Sequence, residues 1–177
     1  MGQTTGKSHA NAAAFKSLMG DFRRVGYLFG SLNVLPDLLR NLAEIRPFNL
    51  TWVLTTTANT ADFVYFICDN LSLLANYGIV SMRKSTNEYL YDDLGTRVWV
   101  LSSVCWLWLS VLEYMKAAAK KETKRQELFE LRLAMLNNAC NLFIGWYYLF
   151  PDRPFSSNMA ALMGVVSAVI GLRANWK

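Results

Sequence analysis

Two carboxylates and two amides are the side chains of this 177-residue sequence whose types and spacing could do chemistry. They lie in a segment of helical periodicity, Thr51–Tyr77, and at about 100° per residue they gather within roughly a quarter-turn of one another: Asn59, Asp62, Asp69 and Asn76. Carboxylates on a mostly apolar helix can line an ion or metabolite path. The same pattern also suits the wet side of a half-buried helix. Acid–base catalysis would need a further group facing the carboxylates, and the sequence offers none.

Histidine and cysteine give no reason to expect an active site elsewhere. The single histidine, His9, lies in a polar tail, where it could not anchor a catalytic triad or a zinc site. Cys68, Cys105 and Cys140 each lie in an apolar run without CxxC spacing, which is typical of buried thiols that act as small hydrophobes. We therefore expect no enzymatic activity, no cofactor and no metal site.

Composition points to lipid or to an unusually large buried surface. Apolar residues make up 53% and charged residues 18% of the chain, whereas an ordinary soluble domain has about 45–50% and about 25%. The net charge of +5 suits an anionic membrane surface better than a dedicated nucleic-acid groove. The chain length favours a single domain.

Three uncharged runs are candidates for crossing a membrane, which takes about 20 mainly apolar residues. Val98–Leu112 is the most apolar, and it reaches 18 residues if it continues to Met115. Pro154–Leu172 has 19 residues and is rich in small side chains. Leu133–Pro151 also has 19 residues, but three asparagines dilute it. We count the first two as membrane-embedded helices and leave the third open.

The N-terminal third has the periodicity of amphipathic helices. After a polar tail over residues 1–12, apolar residues recur every three or four positions along one side of a helix: Phe15, Leu18, Met19, Phe22, Val25, Phe29 and Leu32. The other side carries Lys16, Arg23 and Arg24. A second helix opens at Pro36 and carries a stripe of Leu35, Leu38, Leu39, Leu42 and Ile45. Such helices either lie in a membrane interface, with cations at the head groups, or pack against the rest of the protein.

The last apolar segment brings small residues to one face: Ala160, Gly164, Ala168 and Gly171. Small residues spaced in this way let membrane helices approach closely, so the face is a candidate for self-association. The basic stretch Lys116–Arg132 is either a solvated helix face or a patch that binds head groups.

The segment Thr60–Val80 resembles the peroxin-11 family of peroxisomal membrane proteins. The resemblance rests on Asp69, Asn70, Leu71 and Gly78, and weaker similarities occur in order at Phe22–Gly26 and near the C-terminus. Family members usually have more helical sequence before the basic helix, and Asn141 stands where an aspartate is common.

The resemblance implies a helical protein of the peroxisomal membrane, or of the glycosomal membrane in an organism with glycosomes. It implies that the protein promotes elongation, proliferation and fission of the organelle. In the family, an N-terminal amphipathic helix inserts in the cytosolic leaflet, copies self-associate, and fission factors including a dynamin-like GTPase are recruited. Here the inserting helix would be Phe15–Leu32.

The sequence thus predicts an all-α, membrane-associated protein with N-terminal amphipathic helices and two membrane-embedded helices. We expect a flexible tail (1–12) and one helical membrane domain (13–177), made of an amphipathic pair (13–46), central helices (48–82), an apolar helix running into a basic one (98–132) and C-terminal membrane segments (133–177). Membrane shaping is the leading hypothesis. The alternatives are a pore or metabolite channel lined by the stripe at Asn59, Asp62 and Asp69, and a helical scaffold of another membrane complex.

Overall fold

A computed structural model describes residues 24, 25, 28, 30–43, 49–120, 124–150, 152 and 155–176, without the side chains at positions 92 and 175. Over these ranges the chain is helical and contains no strand. The elements, in chain order, are α1 (Gly30–Ala43), α2 (Leu50–Asn76), α3 (Lys84–Glu88), a π-helical segment (Tyr89–Gly95), α4 (Thr96–Ala119), α5 (Arg125–Leu149) and α6 (Ser157–Asn175).

Side-chain caps define where two of the helices begin. The Asn49 side chain accepts a hydrogen bond of 2.7 Å from the backbone N–H of Trp52 at the start of α2. Ser156 caps α6 in the same way, accepting at 3.3 Å from the N–H of Met159. Each cap satisfies one of the N–H groups that a helix leaves without a partner in its first turn.

A Schellman motif at Gly78 ends α2. Gly78 has a φ of +72°, its N–H donates to the Ala75 carbonyl at 3.0 Å, and the N–H of Ile79 donates to the Leu74 carbonyl at 2.9 Å. These two bonds satisfy carbonyls at the helix end. A Cβ at position 78 would meet no atom within 4 Å, so the backbone conformation, rather than space, calls for glycine.

The segments α3, π and α4 form one continuous helical stretch, Lys84–Ala119, because the residues at both junctions keep right-handed helical angles. Gly95 closes the π-helical segment and is buried. A Cβ at this position would lie 2.8 Å from the carbonyl oxygen of Leu90. Any other residue would therefore force the backbone of the π-helical segment apart.

The helices pack as a row in chain order. Among the described residues α1 packs on α2, α2 on the π-helical segment and α4, α4 on α5, and α5 on α6, while helices that are not neighbours in the row make at most marginal contact. Contacts between α2 and α4 run in opposite directions along the two helices, from Asp62 with Ser102 to Tyr65 with Trp99. The row is therefore antiparallel and open, with α1 and α6 at its edges.

Within the part of the chain that the structure describes, two segments are long and apolar enough to cross a membrane, Lys84–Ala119 and Ser157–Ala174. The second exposes a row of large aliphatic side chains, each 57–62% accessible: Leu162, Val165, Val169 and Leu172. Such a face suits acyl chains rather than water. The prediction of an all-α, membrane-associated protein with two membrane-embedded helices is confirmed. The division of the chain at residue 12 lies outside the described residues and stays a prediction.

Replacing Gly78 with alanine is expected to destabilise the fold by about 1–2 kcal/mol, because a residue with a Cβ is strained at positive φ. Gly171→Ala makes the same chemical change inside α6, where a Cβ also meets no atom within 4 Å. That control is expected to stabilise by about 0.5–1 kcal/mol. Thermal unfolding in detergent micelles measures both, and equal shifts for the two variants would contradict the assignment of Gly78.

Candidate functional site

A buried ion pair joins the segment before α1 to α2. Arg24 Nε donates to Asp69 Oδ1 at 2.9 Å, and Arg24 Nη2 donates to the Asp69 backbone carbonyl at the same distance. The two side chains are 9% and 4% exposed. The guanidinium also lies 4.5 Å from the centre of the Tyr91 ring in the π-helical segment, a favourable cation–π distance.

Asn70 adds a second connection, to the N-terminal segment four residues after Arg24. Its Nδ2 donates to the backbone carbonyl of Leu28 at 2.6 Å. We call the set Arg24, Leu28, Asp69, Asn70 and Tyr91 the N-terminal clasp. The first two positions of the family motif thus hold the approach to α1, while Leu71 is half-buried in α2 and Gly78 ends that helix.

The clasp corrects the expected role of Arg24 as a head-group contact. Arg24 is 7% exposed and its guanidinium is directed at Asp69, so it is not available to phosphates at the membrane surface. Helical periodicity placed it on a polar side, but its partner lies 45 positions away on another helix. Lys16 and Arg23, the other two expected head-group contacts, lie outside the described residues.

Asp62 connects α2 to α4. Its carboxylate accepts hydrogen bonds from the Ser102 hydroxyl and, at 2.8 Å, from Trp106 Nε1. Burial raises the pKa of the Asp62 carboxyl above its ordinary value, against the opposing effect of these two hydrogen bonds. Asn59, one turn earlier, is buried. Both carboxylates of the polar stripe therefore serve contacts between neighbouring segments.

Polar side chains also connect α4 to α5 and α5 to α6. Asn138 Nδ2 donates to Ser110 Oγ at 2.8 Å. Ser167 Oγ lies 2.8 Å from Asn137 Oδ1 and 2.9 Å from Asn141 Oδ1. Because a hydroxyl has one hydrogen, one of these two amides must present its NH₂ group to Ser167. The three asparagines that dilute this apolar segment thus all bind neighbouring helices.

Helix α1 presents an exposed leucine face. Leu38 is buried toward α2, whereas Leu32, Leu39 and Leu42 are 58%, 56% and 52% exposed, and Leu35 is half-buried beside them. At about 100° per residue these four lie within roughly 80° of one another. Exposed polar residues occupy a different side of the helix: Asn33, Asp37 and Arg40.

We call Leu32, Leu35, Leu39 and Leu42 the leucine face. The expectation that a second helix opens at Pro36 is wrong, because α1 runs from Gly30 to Ala43 with Pro36 inside it. The leucine face therefore takes in the end of the expected inserting helix and most of the stripe expected for the second helix. Val25, another expected inserting residue, is 53% exposed. Phe15, Leu18, Met19, Phe22 and Phe29 lie outside the described residues, as does Ile45.

The small-residue face of α6 is divided rather than continuous. Ala160 is 7% exposed, and a Cβ at Gly164 would lie 4.0 Å from Ile144 Cδ1 of α5. Ala168 is exposed, and nothing lies within 4 Å of a Cβ at Gly171. Ala160 is therefore turned into the fold, and Gly164 faces α5 of the same chain with room for a Cβ. The self-association role expected of these four residues stays a prediction.

Sequence reasoning missed the residues that bind the two carboxylates. Ser102 and Trp106 lie 40 and 44 positions from Asp62, and Tyr91 was not singled out at all. The available signal was the presence of polar groups in the apolar stretch Val98–Leu112, since serine and tryptophan inside lipid usually find hydrogen-bond partners.

An all-helical chain with two apolar spans, polar side-chain bonds between neighbouring helices and an amphipathic helix at its edge defines a helical membrane protein. The sequence model described as peroxisomal biogenesis factor 11 (PEX11) matches residues 2–176. The chain belongs to this family, and the resemblance drawn from the sequence is confirmed. No curated relative and no solved structure matches the chain.

Family membership places the protein in the peroxisomal membrane and gives it a general role in the elongation and proliferation of peroxisomes. The family consists of biogenesis factors and is not a known enzyme family. Its involvement in peroxisome division suggests roles at the membrane and in self-association.

Removing the carboxylate of the N-terminal clasp, in Asp69→Ala, is expected to cost about 3–5 kcal/mol of folding stability, because Arg24 would stay buried without its counter-charge. Asp37→Ala removes the acid of an exposed pair with Arg40 and is expected to cost less than about 1 kcal/mol. Chemical unfolding in detergent compares the two variants. Similar losses would show that the clasp stabilises no more than a surface pair.

Asp62→Ala is expected to cost about 1–3 kcal/mol, since the indole N–H of Trp106 and the Ser102 hydroxyl would lose their partner. Asp62→Asn keeps an acceptor for the indole and a donor for the hydroxyl. It also removes a buried charge whose penalty grows as pH rises, because the raised pKa makes the folded state bind this proton more tightly than the unfolded chain.

The asparagine variant should therefore equal or exceed the native protein in stability at pH 7, and its advantage should shrink as the pH falls toward the range where Asp62 is protonated. Unfolding midpoints measured from pH 5 to pH 8 test this expectation. A loss in Asp62→Asn as large as that in Asp62→Ala would mean that the negative charge itself is required.

Proposed function

We propose that the protein elongates peroxisomes by inserting the leucine face of α1 into one leaflet of the membrane, together with the apolar side of the preceding segment Phe15–Leu32. The observation that carries the proposal is this face itself: it is aliphatic, three of its four leucines are more than half exposed, and a separate polar side lies beside it. A helix of this kind has its free-energy minimum where acyl chains meet head groups. Volume added to one leaflet favours curvature.

Apolar burial supplies the main driving force in this proposal. Moving a leucine side chain fully from water into an apolar surrounding contributes about 1.5–3 kcal/mol, and the leucine face offers several side chains that are more than half exposed. A basic residue near an anionic surface adds about 1 kcal/mol, which salt screens. Lys16 and Arg23 are the residues that we propose for these head-group contacts.

Two contacts hold α1, which carries this face, against α2. At one end Gly30 lies directly against the ring of Phe66, and at the other Trp52 Nε1 donates to the Asn41 carbonyl at 2.9 Å. The leucine face is turned away from α2, so lipid can contact it while the two helices stay packed. Because these contacts set α1 antiparallel to α2, α1 tilts relative to the spans when this face lies in the membrane plane. The N-terminal clasp holds the chain immediately before α1 to α2 and to the π-helical segment that leads into the first span.

The remaining part of the proposal concerns assembly. Self-association and recruitment of fission machinery, including a dynamin-like GTPase, follow from the family's role in division. We propose that copies meet at the end of the small-residue face where Ala168 is exposed and Gly171 is half-buried, and at the aliphatic row beside it. A channel finds no support, because Asp62 and Asp69 are both engaged in contacts within the chain.

Leu39→Glu is expected to reduce organelle elongation on overexpression, because it removes apolar burial worth about 1.5–3 kcal/mol and places a charge among acyl chains. Asn33→Glu adds the same charge to the polar side of the same helix and should elongate peroxisomes as the native protein does. Peroxisome length is scored at matched membrane levels of the three proteins. Full activity of Leu39→Glu would overturn insertion through this face.

A further inference from the structure

Helix α5 lies between the two candidate spans and contacts both of them along its length. Toward its N-terminus Arg132 Nη2 donates to the Tyr114 hydroxyl of α4 at 2.9 Å. Toward its C-terminus Gly145 meets α4 so closely that a Cβ there would lie 2.7 Å from Val100 Cγ2. The two helices therefore run alongside each other from the charged end of α4 to the start of its apolar stretch.

Helix α5 also contacts α6 near both of its ends. Arg173 Nη2 donates to Glu130 Oε1 at 3.0 Å at the charged end of α5. Near the opposite end the rings of Phe143 and Phe155 lie 4.4 Å apart. Helix α6 thus runs antiparallel to α5 over a length comparable to that of its own span, Ser157–Ala174.

The uncharged stretches of the three helices lie at the same level in this register. Residues 98–112 of α4, 133–150 of α5 and 157–172 of α6 contain no charged residue. Charged residues lie at both ends of these stretches: Glu130, Arg132 and Arg173 at one end, and Arg97 and Asp152 at the other. If the stretches of α4 and α6 lie in the hydrocarbon region, that of α5 cannot lie at the surface.

The asparagines that dilute α5 do not oppose this placement. Asn138 is bonded to α4, and Asn137 and Asn141 both contact Ser167 of α6. Polar amides inside a bilayer are tolerated when they bond to neighbouring helices. The outward side of α5 is apolar in its middle, where Leu136 and Ala139 are exposed.

We propose that α5 crosses the peroxisomal membrane as a third helix between α4 and α6, with acyl chains covering its outward side. The α4–α5 turn and the end of α6 then lie on one side of the membrane, and the α5–α6 turn lies on the other. This topology goes beyond the membrane-shaping proposal, and its test measures the sidedness of the turns rather than the length of the organelle.

Four single-cysteine additions test the topology in the full-length protein on isolated peroxisomes: Lys120→Cys in the α4–α5 turn, Asp152→Cys in the α5–α6 turn, Trp176→Cys after α6 and Ala139→Cys in mid-helix. All four positions are exposed, whereas the native thiols are 2–5% exposed and supply the background. A membrane-impermeant maleimide is applied before and after permeabilisation, and retention after alkaline carbonate washing checks that each variant is inserted.

The proposal predicts that Lys120→Cys and Trp176→Cys become accessible together, and that Asp152→Cys shows the opposite pattern. Ala139→Cys should react at least about tenfold more slowly than Lys120→Cys in permeabilised organelles, because the reactive thiolate is disfavoured in apolar surroundings. An α5 that lies in the membrane plane would give Lys120→Cys and Asp152→Cys the same sidedness. That result, or rapid labelling of Ala139→Cys, would overturn the proposal.

Discussion

Polar contacts between neighbouring segments hold this protein together, because the hydrophobic effect that drives helices together in water is absent between helices in lipid. Packing an apolar side chain against a helix in a bilayer replaces acyl-chain contacts with similar ones, so association depends on close fit and on interhelical hydrogen bonds. Each junction from α2 to α6 contains such a bond: Asp62 to α4, Asn138 from α5 to α4, and Ser167 of α6 to the asparagines of α5. The clasp at Asp69 attaches the N-terminal segment by the same means.

This constraint explains which features the sequence could predict. Fold class, the two spans and the amphipathic character of the N-terminal third follow from local composition and periodicity, because an apolar run or a leucine stripe is visible within one helix. The family motif was also readable, since its residues lie close together in sequence. The end of α2 at Gly78 belongs to the same group, because helix termination depends on neighbouring residues alone.

Partners that are distant in sequence were not predictable in the same way. Arg24 looked like a surface cation because one helix viewed alone shows only a polar side, and its buried acceptor becomes evident only when α2 is placed beside it. Ala160 and Gly164 likewise looked like part of an intermolecular face, although Ala160 is buried and Gly164 faces Ile144 of α5. The asparagines of α5 made that segment look too polar to span, although their amides hydrogen-bond to serines of α4 and α6. In each case the missing information was the order and register of helices.

The open row has a mechanical consequence. Because each described helix makes at most marginal contact with helices that are not beside it, this part of the molecule behaves as a linear chain of pairwise joints, without the shared centre of a closed bundle. A bend in the surrounding bilayer can be taken up by small rotations distributed over the joints, at little cost to any one of them. In the proposed membrane-shaping role, such rotations would let the row follow the curvature of a narrowing tubule, while the polar bond at each joint limits how far two adjacent helices separate.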